Sequence, residues 1–559
     1  MSLRRRLNLA TSFGLRLALL CWCASSQAQD SGTAQVTAGV AQFRIAGTVV
    51  SATSGAPLAQ ARVSIYDVKD PNSVHSMVTS ENGRFEFSQL STGKYSLQGA
   101  RRGFIAAAYD QHEQYSTAIV IGGGVDTENL TLRLSPAAVL SGTVVDESGE
   151  PVRKATVSLY REDHSLGVSR VVQINGTITD DQGAYEFARL APGNYFVSAT
   201  AKPWYAVHPP SSSGAEGAPD SPVGVDRTLD VAYPTTYYPD ATDADEAVPI
   251  PLKGGDRLRI EIRVSPVPAL HLRFHVPDDG QHGFSMPTLQ RRAFDTEQNA
   301  PNDGMQMVSP GVYELTGVPA GRYSIRAAGA NGQLEQQNDF DVVNDGQELD
   351  MTNGEPVSSI KASVQVLGQK DLPGQLWLGL SDIHRRAVAN QTQAANGEVH
   401  FENVAPGKYT ILAWGSGKAY GVTRVSAHGA EIPEHTLNVT PGSSLEISVS
   451  LATGTANVEG FAIRAGKGTA GAMVVLVPDD PEAHRELFRR DQSDLDGSFS
   501  LRSVIPGSYA IIAIEDGWDL DWSQPAVLMQ YAKLGRTLKV ETHAHGSVRV
   551  PEAVEIQSR

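Results

Sequence analysis

The sequence predicts an all-β protein, a tandem array of about five β-sandwich domains. Two observations carry that expectation: a motif that recurs five times, and period-two alternation of apolar residues around every copy of it. The motif is a Gly, a second Gly ten residues later and a Tyr two residues after that. Its copies are Gly83, Gly93 and Tyr95; Gly183, Gly193 and Tyr195; Gly311, Gly321 and Tyr323; Gly397, Gly407 and Tyr409; and Gly497, Gly507 and Tyr509. A period of roughly 100 residues is too long for a solenoid repeat and matches one small domain.

Between the glycines the apolar residues alternate, as in Phe85 and Phe87, Tyr185 and Phe187, or Val399 and Phe401. Alternation with period two marks a strand with one buried face. The residue before the first Gly is often Asn or Asp (Asn82, Asn396, Asp496) and favours a tight turn with positive φ. Pro-Gly pairs at 192–193, 406–407 and 506–507 suggest a second turn, Pro fixing φ and Gly supplying positive φ. The Tyr then opens the next strand, its ring in the core and its hydroxyl placed to bond backbone at the end of the sandwich.

Opening strands are expected at Phe43–Val50 and Leu140–Val145, and second strands at Arg62–Tyr66 and Ala155–Tyr160. Closing strands are expected at Asn129–Leu134, Arg257–Val264 and Leu445–Leu451. Ser135-Pro136 and Ser265-Pro266 follow at once as short stiff linkers, which predicts a semi-rigid rod. Helical periodicity is confined to Pro525–Leu534. The boundaries expected are sandwiches at 41–135, 136–266, 267–353, 354–453 and 454–555, the third and fourth divergent. The second carries a loop insertion at 202–248, whose middle, 209–226, is expected to be mobile.

The N-terminus has the pattern of an export signal: Arg4, Arg5, Arg6 and Arg16, an apolar stretch from Leu17 to Ala24, then Ser26-Gln27-Ala28 as a cleavage site. Residues 1–28 are expected to be removed and 29–40 to form a disordered lead-in. Both cysteines, Cys21 and Cys23, would leave with the signal, so the mature chain would hold its domains without disulfides. Cleavage removes four Arg and no acid, so 42 basic and 62 acidic residues remain and net charge moves from −16 to −20. That balance disfavours nucleic acid and anionic membranes as partners. No later stretch is long and apolar enough for a transmembrane helix.

The repeated unit, with Gly-Thr-Val-Val before it and the Gly-x-Pro-Val/Leu turn, resembles the carboxypeptidase regulatory-like domain. That domain is transthyretin-like (prealbumin-like) and is often grouped under a carbohydrate-binding-like fold. The resemblance spans 41–135, 137–200 and 455–517. It extends to 267–330 and 357–415, which lack the first Gly-rich signature. It implies antiparallel seven-stranded Greek-key sandwiches, non-catalytic and commonly attached to peptidases, outer-membrane receptors or surface proteins. The segments at Tyr109-Asp-Gln-His and Tyr233-Pro-Thr-Thr-Tyr-Tyr-Pro are similar to those of multi-domain secreted proteins of soil bacteria.

No His-Glu-x-x-His pair, nucleophile elbow or phosphate loop is present, so no catalytic residue, metal or cofactor is expected. His543-Ala-His545 and the acidic clusters Asp491/Asp494/Asp496 and Asp240/Asp243/Asp245/Glu246 fit exposed edge and turn residues better than metal ligands. Sugar binding relies on exposed flat rings. Trp204, Tyr205, Tyr237 and Tyr238 in the second domain, and Trp518 and Trp522 in the fifth, are the candidates. Set against that is the reading that these rings cover the open ends of the sandwiches. The function expected is a secreted binding or scaffold protein, periplasmic, cell-surface or extracellular, with polysaccharide or an envelope protein as partner. The alternatives are a purely structural spacer and an accessory subunit of a separately encoded peptidase or hydrolase.

Overall fold

The computed structural model describes residues 43–122, 124–208, 226–275, 288–300, 304–309, 312–328, 334–350, 358–382, 388–415, 418–482, 484–532, 534–541, 544 and 546–559. The leader, the lead-in, the middle of the insertion at 209–225, Gly311, His543 and His545 lie outside the described residues. Residues 42–559 form one compact unit.

Within it are five separate sandwich cores. The first gathers Ile45, Val63, Phe85, Leu97 and Leu132. The second gathers Leu140, Val157, Phe187, Val197 and Ile262. Leu272, Leu315 and Ile325 centre the third, Leu378, Phe401 and Ile411 the fourth, and Val474, Phe499 and Ile511 the fifth. Alternation drives each strand inward: in Leu130–Leu134 the three leucines are buried while Thr131 and Arg133 face water. Each such side chain contributes roughly 1.5–3 kcal/mol over its exposed state.

In the first sandwich Phe43–Ser51 lies between Arg84–Leu90 and Leu130–Leu134. The opposing sheet is built on Arg62–Asp67, flanked by Asp70–Val78 and Gly93–Ala100. Ala107–Ala108 and Ile119–Ile121 extend it on the far side of Gly93–Ala100. The pairings are antiparallel with one recurring exception, to which the fifth sandwich adds Val554–Gln557 running parallel to Gly507–Ile514. The closing strand runs parallel to the opening strand in every sandwich, as at Gly47↔Leu130, Leu140↔Leu258, Arg273↔Glu348, Ala362↔Ile447 and Asn457↔Ser547. A parallel pair needs a long crossover, and here the rest of the domain supplies it. In the fourth sandwich Lys418–Ala427 pairs with both Gly407–Gly415 and Ser444–Gly454, joining the two layers into one sheet. The helix spans Pro525–Ala532 and buries Leu528 and Tyr531.

The first motif glycine meets two demands. Gly183 has φ +68°, and a Cβ there would lie 2.6 Å from the Val144 carbonyl oxygen; Gly83 and Gly497 stand in the same relation to Val49 and Ala462. The second glycine meets the expectation of positive φ in two of its copies, Gly193 at +155° and Gly321 at +157°. Gly93, Gly407 and Gly507 do not adopt positive φ. Instead Gly407 and Gly507 lie under the motif tyrosine, where a Cβ would come 3.3 Å from the ring. The left-handed residue sits earlier, at Gln89, Arg189, Gly317, Asn403 and Ser503. There each sandwich slips register between its opening strand and the strand before the Tyr, a β-bulge.

The expected rod is also corrected. The fifth sandwich docks on the first and second, because its edge strand and the segment at 518–522 carry side chains that bond and stack onto those neighbours.

Candidate functional site

The seam made by the fifth sandwich is where the molecule concentrates its buried polar chemistry. Arg489–Gln492 is the edge strand beside Met473–Pro478. It faces the loop after Ala108 in the first sandwich, where His112 and Tyr115 form an isolated bridge, and the turn around His164 in the second. Arg490 has its side chain 2% exposed and donates to Glu113 at 2.6 Å and to the Ser165 carbonyl at 3.1 Å. Its guanidinium carbon lies 4.2 Å from the Trp522 ring centroid, 5.2 Å from that of Tyr115 and 5.7 Å from that of Trp518. A desolvated cation over aromatic faces is worth about 2 kcal/mol per good contact.

Around this centre Trp518 stacks on His112 with centroids 5.0 Å apart. Trp522 Nε1 donates to the His164 carbonyl and Ser523 Oγ to that of Gly167. Gln492 donates to the Asp110 carbonyl and the Thr117 hydroxyl. Lys94 pairs with Asp494 at 2.5 Å, and Asp494 also accepts from the Ala118 amide.

The Asp491, Asp494 and Asp496 carboxylates are thus engaged: Asp496 accepts from the Ser498 amide and hydroxyl, and Asp491 from the Ser500 amide. Among the described residues no group of three or more His, Cys, Asp or Glu is placed to hold a metal ion. Asp491 is only half-buried by area, yet burial pushes its carboxyl up to about 6, with Asp494 adding to the effect. The folded state therefore binds this proton more tightly than the unfolded chain. Stability from this group is fully present below about pH 4 and falls as pH rises to about 6, by at most about 3 kcal/mol. Asp491→Asn is expected to flatten the dependence of the fifth-sandwich melt between those pH values. An unchanged slope would show that the carboxyl titrates normally.

The structure separates the six proposed ring contacts. Tyr237 is fully buried, and with Tyr160 and Phe196 it receives Phe294 from the third sandwich, at 5.0–5.4 Å between centroids. Tyr238 packs against the second core. Trp518 and Trp522 are buried at the seam. Tyr237, Trp518 and Trp522 are thereby corrected from exposed platforms to packing residues that neighbouring sandwiches close over, and Tyr238 is half-buried on its own core. Trp204 remains 87% exposed, edge-on to Tyr205. Tyr205 and Tyr233 both donate to Glu147, at 2.5 and 2.8 Å. Burial and that carboxylate push Tyr205 up to about 12. Burial opposes ionisation of Glu147, but the two phenols hold it below the usual carboxylate range.

The five motif tyrosines share one geometry. Each hydroxyl donates to the carbonyl four residues back: Tyr95 to Ser91 (3.1 Å), Tyr195 to Ala191 (2.6 Å), Tyr323 to Pro319 (2.8 Å), Tyr409 to Ala405 (2.9 Å) and Tyr509 to Ile505 (2.7 Å). Sequence reasoning missed Arg490 and Glu113, which no local pattern marks. It also missed a cluster at the second–third junction, where His208 bonds Asp230 at 2.8 Å and His271 lies between Asp230 and Asp345.

Repeated sandwiches with a shared tyrosine corner and no assembled reactive centre among the described residues define a tandem β-sandwich protein. Residues 44–134 and 139–224 each match the model of the carboxypeptidase regulatory-like domain. No curated protein matches the chain. Among solved structures, the TIE protein of Bacillus anthracis is 13% identical, covering 76% of each chain, with a TM-score of 0.17. GBS52, the minor pilin of Streptococcus agalactiae, is 13% identical over 40% of this chain and 96% of its own, TM-score 0.20. BcpA, the major pilin subunit of Bacillus cereus, is 10% identical over 73% of this chain and 99% of its own, TM-score 0.14. Likeness at this level transfers no role. Among the described residues no helix is long and apolar enough to cross a membrane.

Proposed function

We propose that this is an exported, non-catalytic binding scaffold of the cell envelope or exterior, which holds its sandwiches in fixed relation and presents their surfaces to polysaccharide or to an envelope protein. The observation that carries this reading is the seam around Arg490, where a buried cation, three rings and one carboxylate tie together segments from three sandwiches. Such a seam suits a braced support better than a flexible spacer. The leader pattern at 1–28 and the acidic net charge support export and a partner other than nucleic acid.

Expressed with its own N-terminus in a bacterial host, the chain is expected outside the cytoplasm, beginning at Gln29. On an array of neutral and acidic glycans, or against envelope proteins, it is expected to bind without turning over what it binds. Cytoplasmic retention, or hydrolysis of a bound glycan or peptide that one pocket substitution abolishes, overturns the reading.

A further inference from the structure

The outward sheet face that the fifth sandwich covers is left open in the fourth. Its strands Leu376–Asp382 and Gly407–Gly415 pair so that Trp377 stands directly opposite Trp414. The alternate residues Leu376, Leu378, Leu380, Tyr409 and Ile411 fill the core, so both indoles point outward. Trp377 is 37% exposed and Trp414 half-buried. Among the described residues neither indole enters a ring–ring or cation–π contact, and neither Nε1 is hydrogen-bonded.

The fifth sandwich shows what these positions hold when they are structural. Tyr409 pairs with Asp382 and Tyr509 with Pro478. Five residues along each strand, Trp377 and Trp414 correspond to Met473 and Ile514. Met473 and Ile514 are completely buried beneath the segment carrying Trp518. In the second sandwich Phe294 closes the outward pair next to the motif Tyr, Tyr160 and Phe196, while the positions matching the indoles hold Thr156 and Thr200. The fourth sandwich places its two indoles where the fifth buries Met473 and Ile514, and leaves them accessible.

We propose that this face is a platform for a neutral polysaccharide, with Trp377 and Trp414 stacking on pyranose rings, an inference that rests on the reading of the chain as a binding scaffold. Flat indoles on adjacent strands match the C–H faces of sugar rings. Gln393 pairs with Trp377 and Gln391 with Gly379, and both residues are exposed; Gln393 Nε2 donates to the Gly374 carbonyl, so its Oε1 and the Gln391 amide flank the rings for hydroxyl groups. The outward positions beside the indoles, Gly379, Leu412, Gln391 and Gln393, carry no charge. With a net charge of −16 on the whole chain, an anionic glycan would be repelled and finds no cation among these positions. A neutral chain meets neither obstacle.

The test is native affinity electrophoresis of the mature full-length protein in gels containing hydroxyethylcellulose, xylan, laminarin or soluble starch, with alginate as the anionic comparison. The wild type is expected to be retarded by at least one neutral polymer and not by alginate. Trp377→Ala with Trp414→Ala is expected to abolish that retardation at an unchanged melting temperature, and Trp377→Phe with Trp414→Phe to keep part of it. Retardation of the folded double-Ala variant equal to wild type overturns the platform while leaving polysaccharide binding in place. A wild type retarded by none of the neutral polymers overturns the platform too. The broader scaffold reading then stands or falls on the array and export measurements.

Discussion

Tyr195→Ala is expected to destabilise the second sandwich by about 3–5 kcal/mol, as truncation of a buried aromatic does. Tyr195 is 1% exposed, and its ring joins the core containing Val157, Phe187 and Val197. Its hydroxyl closes the corner by donating to the Ala191 carbonyl at 2.6 Å. Truncation removes the ring contacts and leaves a cavity under the bulge at Arg189. Tyr195→Phe keeps the ring and loses only the bond, so it is expected to cost about 1 kcal/mol. Because several sandwiches melt in one chain, the effect is read as a downward shift of one transition in a calorimetric scan. A variant that melts like wild type but has lost a binding activity would show that the tyrosine contacts ligand. The same pair of substitutions at Tyr409 or Tyr509 is expected to give the same ratio, since those hydroxyls bond at 2.9 and 2.7 Å.

The corner was legible in the sequence because everything that makes it lies within about a dozen consecutive residues: the turn glycine, the alternating strand and the Tyr. The glycine before the Tyr was legible as required but not for its reason. Room for the ring and positive φ both select Gly, and only the structure tells them apart. The bulge was hidden because its left-handed residue is Gln89, Arg189, Asn403 or Ser503 as readily as Gly317, so composition carries no mark of it. The docking of the fifth sandwich was out of reach for a different reason. Glu113 and Arg490 are unremarkable charged residues until the fold brings them together, and stiff Ser-Pro linkers suggest extension when neighbours are considered only in pairs. For Trp518 and Trp522 the sequence leaves a sugar platform and a cover for the sandwich end both open, because it shows that a large ring needs cover without showing what covers it. Trp377 and Trp414 carry no mark in the sequence at all. Each sits in an ordinary strand pattern, and only the register places them side by side.

Glu113→Ala is expected to loosen the fifth sandwich from the first and second, at a cost of about 3–5 kcal/mol, because it leaves a buried guanidinium without its counter-charge. The two partners are unequal: the Arg490 side chain is 2% exposed and that of Glu113 23%. Removing the carboxylate strands a charge that water cannot reach. Arg490→Met instead leaves Glu113 able to solvate itself while an apolar chain still fills the space between Trp518, Trp522 and Tyr115, so it is expected to cost less. The remaining bonds to Arg490, from the Ser165 carbonyl and the ring faces, soften the loss in Glu113→Ala but carry no negative charge. The surface pair Arg263–Glu261, with both side chains about half exposed, sets the scale for comparison. Glu261→Ala is expected to change stability by no more than about 1 kcal/mol. Small-angle scattering should report a larger radius of gyration for Glu113→Ala than for wild type. Calorimetry should show the fifth sandwich melting earlier, as a separate transition, and 0.5 M salt should change wild type little, because a buried pair is poorly screened. If Glu113→Ala scatters and melts as wild type does, the seam is an incidental contact and the sandwiches are held in place by something other than this pair.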